Sequence, residues 1–382
     1  MTIRYEISGF KCFVNSSFDL GEITVLTGSN GTGKSSFIQA ILLVRLGIER
    51  NSQDAKSEDF VGDTWKGAAI PLNNHFALSL GTVYDIFNSN EVLGDVITVN
   101  LGQEQFNITL PISEENITSA NIDLVTAFQR QEDVSFWRKR EFYYLNTERL
   151  GPRHGLDFDH TDFIHCGYKG EYTAQVILNH GLTHKITDER CFTEIKSNFL
   201  QDQVNAWLNQ ICPGTVGVTV KPLGPMRGQI VLKTGTLQND VLAPNIGFGI
   251  SYALPVIVNG LVAKKGSIFI VENPEAHLHP KGQSNIGYFL GKVAASGVKI
   301  IVETHSEHVV NGIRRATLDS DILRSSDVGI YFFSGPTSRS EQITKLAITE
   351  FGDLTKFPRD FFDQVNQDIA EIYRLKNRKI NG

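Results

Sequence analysis

The octapeptide Gly28-Ser29-Asn30-Gly31-Thr32-Gly33-Lys34-Ser35 constrains the chain more than any other stretch. It fills every specified position of the pattern G-x-x-x-x-G-K-[ST]. An apolar run, Ile23-Thr24-Val25-Leu26-Thr27, precedes it, and SSFIQAILLVRLGI follows with helical spacing. Strand, glycine-rich turn and helix is the order that phosphate binding needs. The glycines let backbone N–H groups converge on phosphate oxygens without a Cβ in the way. The helix start adds a favourable dipole. The candidate nucleotide contacts are therefore Asn30, Gly31, Gly33, Lys34, Ser35 and Ser36. Lys34 would reach the β- and γ-phosphates, and the Ser35 hydroxyl would ligate Mg²⁺. The loop alone leaves ATPases, GTPases and small-molecule kinases open.

The chain has 382 residues, enough for two or three lobes, and 41% of them are hydrophobic, enough for a sizeable core. The net charge of -6 speaks against a wholly basic nucleic-acid domain but not against a local basic patch. Cys12, Cys166, Cys191 and Cys212 form no CxxC pair and suit a reducing compartment. MTIRYEISGFKCF does not read as a signal peptide, so a cytoplasmic location is expected. The apolar run 246–263 carries three glycines and a proline and reads as a buried helix rather than a membrane span.

Three lobes are expected: 1–110 with the phosphate loop, 111–240 as a helical and hairpin insertion, and 241–382 with the remaining site motifs. In the first, TIRYEISGF, HFALSLGTVYDIF and DVITVNLGQEQFNITLPI read as strands of an antiparallel side layer. Residues 49–70 read as loop, and 112–140 as polar and helix-permissive. FYYL reads as a strand, 171–212 as helical, and GTVGVTVKPLGPMRGQIVLKTG as a hairpin. After residue 245, helix and strand alternate, which argues for parallel strands with crossover helices.

The second half of the site is expected at two strand tips. SIFIVE ends in Glu272, which can hold Mg²⁺ through its water shell, and Asn273 and Glu275 follow. VKIIVETHS ends near His305, which can contact a γ-phosphate or the attacking water. Asn245-Ile246-Gly247-Phe248-Gly249-Ile250-Ser251 is a glycine-rich turn whose donors could serve a phosphate. His277 with His279, or His305 with His308, could instead share a metal, although cap roles are commoner for such residues. Arg138, Lys139, Arg140, Arg149 and Arg153, interleaved with Phe136, Trp137, Phe142 and Tyr143, offer a candidate nucleic-acid surface or, more blandly, a helix end with core aromatics.

Taken in order, these motifs resemble a prokaryotic AAA-type ATPase family of the ABC-type, SMC/OLD-like branch, whose C-terminal region is a domain of unknown function. The likeness rests on ISGFKCF, the phosphate loop, TERLGPRHG, CGYKGE, GFGISYALPVIV, ENPEAHLHPKGQS, ETHSEHVVNGIR and FGDLTKFPRDFFDQ. It implies an α/β fold, a P-loop ABC-type ATPase head with a mixed parallel sheet, an antiparallel side layer and an inserted lobe. It implies that Glu272 is the Walker B acid and His305 the switch histidine. Gly249 and Ser251 would be the signature that completes a partner subunit's site in a head-to-head dimer. Asn273 falls where many relatives carry the catalytic Glu, which leaves Glu275 as the nearest spare carboxylate. Gln39 has no sensor role in this reading, and Gly81–Asp85 is the stretch that could supply one. ATP and Mg²⁺ are the implied cofactors. A separately encoded effector, DNA or RNA are the implied partners, in antiphage defence or genome maintenance and away from membranes. Slow hydrolysis, a non-hydrolysing switch and a metal-dependent nuclease using His277, His279 or Glu303 are the readings carried forward.

Overall fold

The computed structural model describes residues 2–51, 60, 67–88, 96–111, 117–126, 136–235, 239–245, 247–319, 323–334 and 343–381. The chain opens with the antiparallel pair β1 (Ile3–Phe10) and β2 (Phe13–Leu20), then β3 (Ile23–Gly28), the phosphate loop and helix α1 (Lys34–Asn51). Strands β4 (Ala68–Pro71), β5 (Val96–Leu101), β6 (Glu104–Thr109) and β7 (Ser119–Thr126) return to the first pair and complete a six-stranded antiparallel layer, ordered β2-β1-β5-β6-β7-β4.

β8 (Phe142–Leu145) leaves that layer for the central sheet. β9 (Leu156–Asp157), helices α2 (Thr173–His180) and α3 (Leu200–Ile211), the hairpin β10 (Thr215–Pro222) with β11 (Arg227–Thr234), and β12 (Val241–Leu242) form a small third sheet with its helices. The rest is the alternating series: α4 (Phe248–Val262), β13 (Ile268–Glu272), α5 (Pro280–Ala295), β14 (Lys299–Glu303), α6 (Glu307–Asp319), β15 (Val328–Phe333), β16 (Ile343–Leu346) and α7 (Gln364–Asn381).

The central sheet runs β16-β15-β3-β14-β13-β8, parallel except for the edge strand β16. Both of its faces are covered, which is why its strands read as continuous apolar runs. Alternate residues of β13 divide between two cores. Ile268 and Ile270 join α1 and the antiparallel layer, while Phe269 and Val271 join the α4, α5 and α6 side. β3 lies between β14 and β15, so the chain switches direction there and the phosphate loop emerges at the carboxyl edge where such sheets bind ligands.

Three sequence readings need correction, and the first is the loop expected over 49–70, where 49–51 belong to α1 and 68–70 to β4. HFALSLGTVYDIF is not a strand: His75–Ala77 and Val83–Asp85 are single 3-10 turns, and Phe76 and Ala77 have φ of 50° and 54°. Phe76, Leu78, Leu80, Val83 and Ile86 are nonetheless buried, so the apolar pattern reports a packed loop rather than a ladder. Within 112–140, residues 119–126 are β7 rather than helix-permissive coil, while 112–116 and 127–135 lie outside the described residues, as do 52–59 and 61–66 of the expected loop. Within the run 246–263, Phe248–Val262 form α4, whose residues from Ala253 to Val262 are buried. Among the described residues no helix is long and apolar enough to cross a membrane.

Candidate active site

β3 delivers the loop, and the packing around it leaves no room for side chains at two of its glycines. Gly28 has φ of 133°, and a Cβ there would stand 2.1 Å from the Phe333 carbonyl oxygen. Gly33 has φ of 110°, and a Cβ would stand 2.6 Å from Cys12 Sγ. Asn30, Gly31 and Ser35 are exposed at the rim, whereas Lys34 is buried. Lys34 Nζ donates to the carbonyls of Gly28 and Ser29 at 3.0 and 2.6 Å. An ammonium has three N–H bonds, so a donor remains for a ligand oxygen.

The tips of β13 and β14 bring two carboxylates together, since Glu272 pairs in register with Glu303. Glu272 is held at both oxygens, by Tyr144 Oη and Thr147 Oγ1, each at 2.8 Å. Glu303 is only 5% exposed and accepts from Ser35 Oγ at 3.1 and 3.2 Å. Burial and then the charge of Glu272 push the Glu303 carboxyl up to about 7, against the pull of Lys34 and the Ser35 bond. Burial lowers the pKa of Lys34, opposed by the charge of Glu303.

The turn after β13 is built on strained backbone. Asn273 and His277 have φ of 44° and 61°. Asn tolerates that region better than most side chains. Arg149, 4% exposed, pins the turn by donating to the carbonyls of Glu272 at 2.6 Å and Asn273 at 2.5 Å. Its guanidinium lies over the Tyr252 ring, 5.2 Å from the centroid, and burial lowers its pKa to about 10. Glu275 Oε1 accepts from the His305 backbone N–H at 2.8 Å, which joins the turn to the tip of β14. Burial raises the Glu275 pKa. Burial, and then the charge of Lys34, lower that of His305. Asn273 Oδ1 and Glu275 Oε2 are buried acceptors with no hydrogen-bond partner among the described residues.

Lys34, Ser35, Glu272, Asn273, Glu275, Glu303 and His305 thus converge on one edge of the sheet. Gly249 and Ser251 lie apart from the loop. A Cβ on Gly249 would stand 2.6 Å from the His277 carbonyl oxygen, so α4 starts against the far side of the same turn. Ser251 lines a small cavity with Leu150, Gly170 and Thr173. His277 packs against the rings of Tyr252 and Phe248, and His279 caps α5. Gln39 accepts from Lys11 Nζ at 2.8 Å, a structural bond. Asp85 accepts from the Thr82 backbone and hydroxyl, closing its own turn.

The candidate basic cluster is split, with Arg138 and Arg149 drawn into buried contacts and Arg153 left exposed. Arg138 pairs with buried Glu104 at 2.7 Å, Arg149 belongs to the site, and Trp137, Phe142 and Tyr143 are buried. Sequence spacing alone therefore misplaced Arg149 and missed how Ser35 engages Glu303. The available signal was that Glu303 ends an apolar strand of the same length as the one ending in Glu272.

Three family models match the chain: an AAA domain over 4–140, an AAA ATPase domain over 181–310, and a Protein of unknown function (DUF3696) over 323–372. No curated protein matches it. Among solved structures, an Smc head bound to the C-winged helix domain of ScpA superposes with a TM-score of 0.50 at 13% identity, over 91% of this chain and 98% of that one. The SMC head domain from Thermotoga maritima gives a TM-score of 0.42 at 12% identity, over 91% and 99%. At 13% identity the likeness to the Smc head bound to the ScpA domain is one of fold.

Proposed function

We propose that this chain, an SMC-like AAA ATPase, hydrolyses ATP with Glu275 as the acceptor of the water proton and Asn273 as the group that orients the water. The observation that carries the reading is the pair of buried acceptors without partners, Asn273 Oδ1 and Glu275 Oε2, beside the switch position His305. Water offers two hydrogens to two such acceptors. Its oxygen attacks the γ-phosphorus, one proton passes to Glu275, and the bond to the ADP oxygen breaks. A carboxyl raised by burial is a better base near neutral pH than an exposed one. The loop amides and Lys34 stabilise the transferring phosphoryl group.

The residues present fit Mg²⁺. Ser35 is exposed beside two clustered carboxylates, and Tyr144 and Thr147 orient the Glu272 oxygens. Ser35 and Glu272 would hold the ion, and Glu303 would fix the Ser35 hydroxyl. When bound, Mg²⁺ neutralises charge on the β- and γ-phosphates.

At a finer level, Gly249 and Ser251 complete the site of a second copy, so that ATP closes a head-to-head dimer. That closure is passed to a separately encoded protein effector, in antiphage defence or genome maintenance. An Smc head bound to a ScpA domain supports the idea that such a fold can dock a partner.

Single-turnover hydrolysis tests the base. Glu275→Gln is expected to bind ATP normally and to lose about 10²–10⁴-fold in rate, while Lys34→Ala loses ATP binding. A Glu275→Gln variant that turns over at the wild-type rate sinks the assignment. A wild type that binds ATP without hydrolysing it would favour the switch reading.

A further inference from the structure

Helix α7 takes no part in the site and has no packing partner among the described residues. Every residue from Gln364 to Ile380 is exposed, although Phe361, three positions before the helix, is buried in the core. The helix is strongly two-faced. At about 100° per residue, Val365, Ile369, Ile372, Tyr373 and Ile380 fall within roughly 100° of arc, with the Lys376 stem among them. Those five side chains are between 47% and 68% exposed. An apolar stripe on a helix of 18 residues is ordinarily buried, because helices of this length are marginal alone in water.

We infer that the occupant of this stripe is α7 of a second copy, packed antiparallel about a two-fold axis between Ile372 and Tyr373. The charge pattern selects that partner and direction. Asp368 and Lys379 lie on the same flank of the stripe, near opposite ends of the helix. Antiparallel pairing places Asp368 of each copy beside Lys379 of the other, giving two symmetric ion pairs. The same register sets Val365 opposite Ile380, Ile372 opposite Tyr373, and Ile369 along the Lys376 stem. Parallel pairing would instead put the two copies of this flank on opposite sides of the seam, so that neither Asp368–Lys379 pair could form. A two-fold contact is self-complementary in just this way. The interface involves no residue of the nucleotide site and is independent of the ATPase reading.

The test is the molar mass of the whole chain by sedimentation equilibrium, without nucleotide and with Lys34→Ala in every sample to remove ATP-driven closure. The expected species is a dimer that Ile372→Asp converts to monomer. Asp368→Lys alone and Lys379→Asp alone should each weaken dimerisation on the order of tenfold, since two pairs turn repulsive. The combined Asp368→Lys/Lys379→Asp chain should recover wild-type affinity, a rescue that a misfolded variant cannot produce. Monomer at tens of micromolar, a dimer unmoved by Ile372→Asp, or a double variant as weak as the single ones overturns the inference. The first of these outcomes would leave the stripe to a different protein.

Discussion

Glu303 shows how one side chain's ionisation is set by its neighbours. Its ordinary value of 4.5 is raised to about 7 by burial and by Glu272. A carboxyl whose folded value lies above its unfolded one binds the proton more tightly when folded. The stability it contributes is complete below about 4.5 and is lost as pH rises through about 7. Glu303→Gln has no such dependence. Without nucleotide or Mg²⁺, its melting temperature should gain on the wild type as pH goes from 5 to 8; a gap that stays constant would mean Glu303 is not raised. Asn273 makes a second point at this scale. Its φ of 44° suits an amide that bonds locally, so the turn's backbone favours Asn at this position. The carboxylate two residues later is anchored instead by His305 N–H.

Helices α5 and α6 illustrate what a glycine does between elements. A Cβ on Gly312 would stand 2.0 Å from the Ser284 carbonyl oxygen, and one on Gly287 would stand 2.2 Å from that of Val309. These helices touch backbone to backbone, and they carry the crossovers on either side of β14. Gly312→Ala forces them apart and should cost about 1–3 kcal/mol by denaturant unfolding. An unchanged midpoint would show that the crossing yields freely. This contact was not legible in the sequence, where Gly287 and Gly312 look like ordinary helix-weakening residues. The opposite error occurred at HFALSLGTVYDIF, where alternation suggested a strand. Positive φ at Phe76 and Ala77 breaks any ladder, and burial alone accounts for the pattern.

Across the whole molecule, a few long-range bonds tie the loops at the site edge together. Arg149 ties the loop after β8 to the turn after β13, and Glu275 ties that turn to β14. The aromatic and basic stretch before β8 closes against the antiparallel layer through Glu104, which accepts from Trp137 at 2.5 Å and pairs with Arg138. Arg138→Ala should therefore lower stability by about 2–3 kcal/mol, because a largely buried carboxylate loses its cation. It should leave the salt dependence of any DNA binding unchanged; weaker DNA binding at an unaltered melting temperature would revive the basic-surface reading.

By itself the sequence determined the phosphate loop, the central strands and their crossover helices, and the two carboxylate-bearing strand ends. All of these are local: a glycine spacing, a helical period or an apolar run carries its meaning within about a dozen residues. Only the tertiary structure decided that Ser35 meets Glu303, that Arg149 lies buried under the turn at Asn273, and that Arg138 answers Glu104. Each of these pairs is separated by tens to hundreds of residues, and a charge in the chain does not reveal whether its partner will be water or a buried group. The physical reason is desolvation: it acts only once layers close, and it turned Arg138 into half of a structural ion pair and a strand-end carboxylate into part of the site.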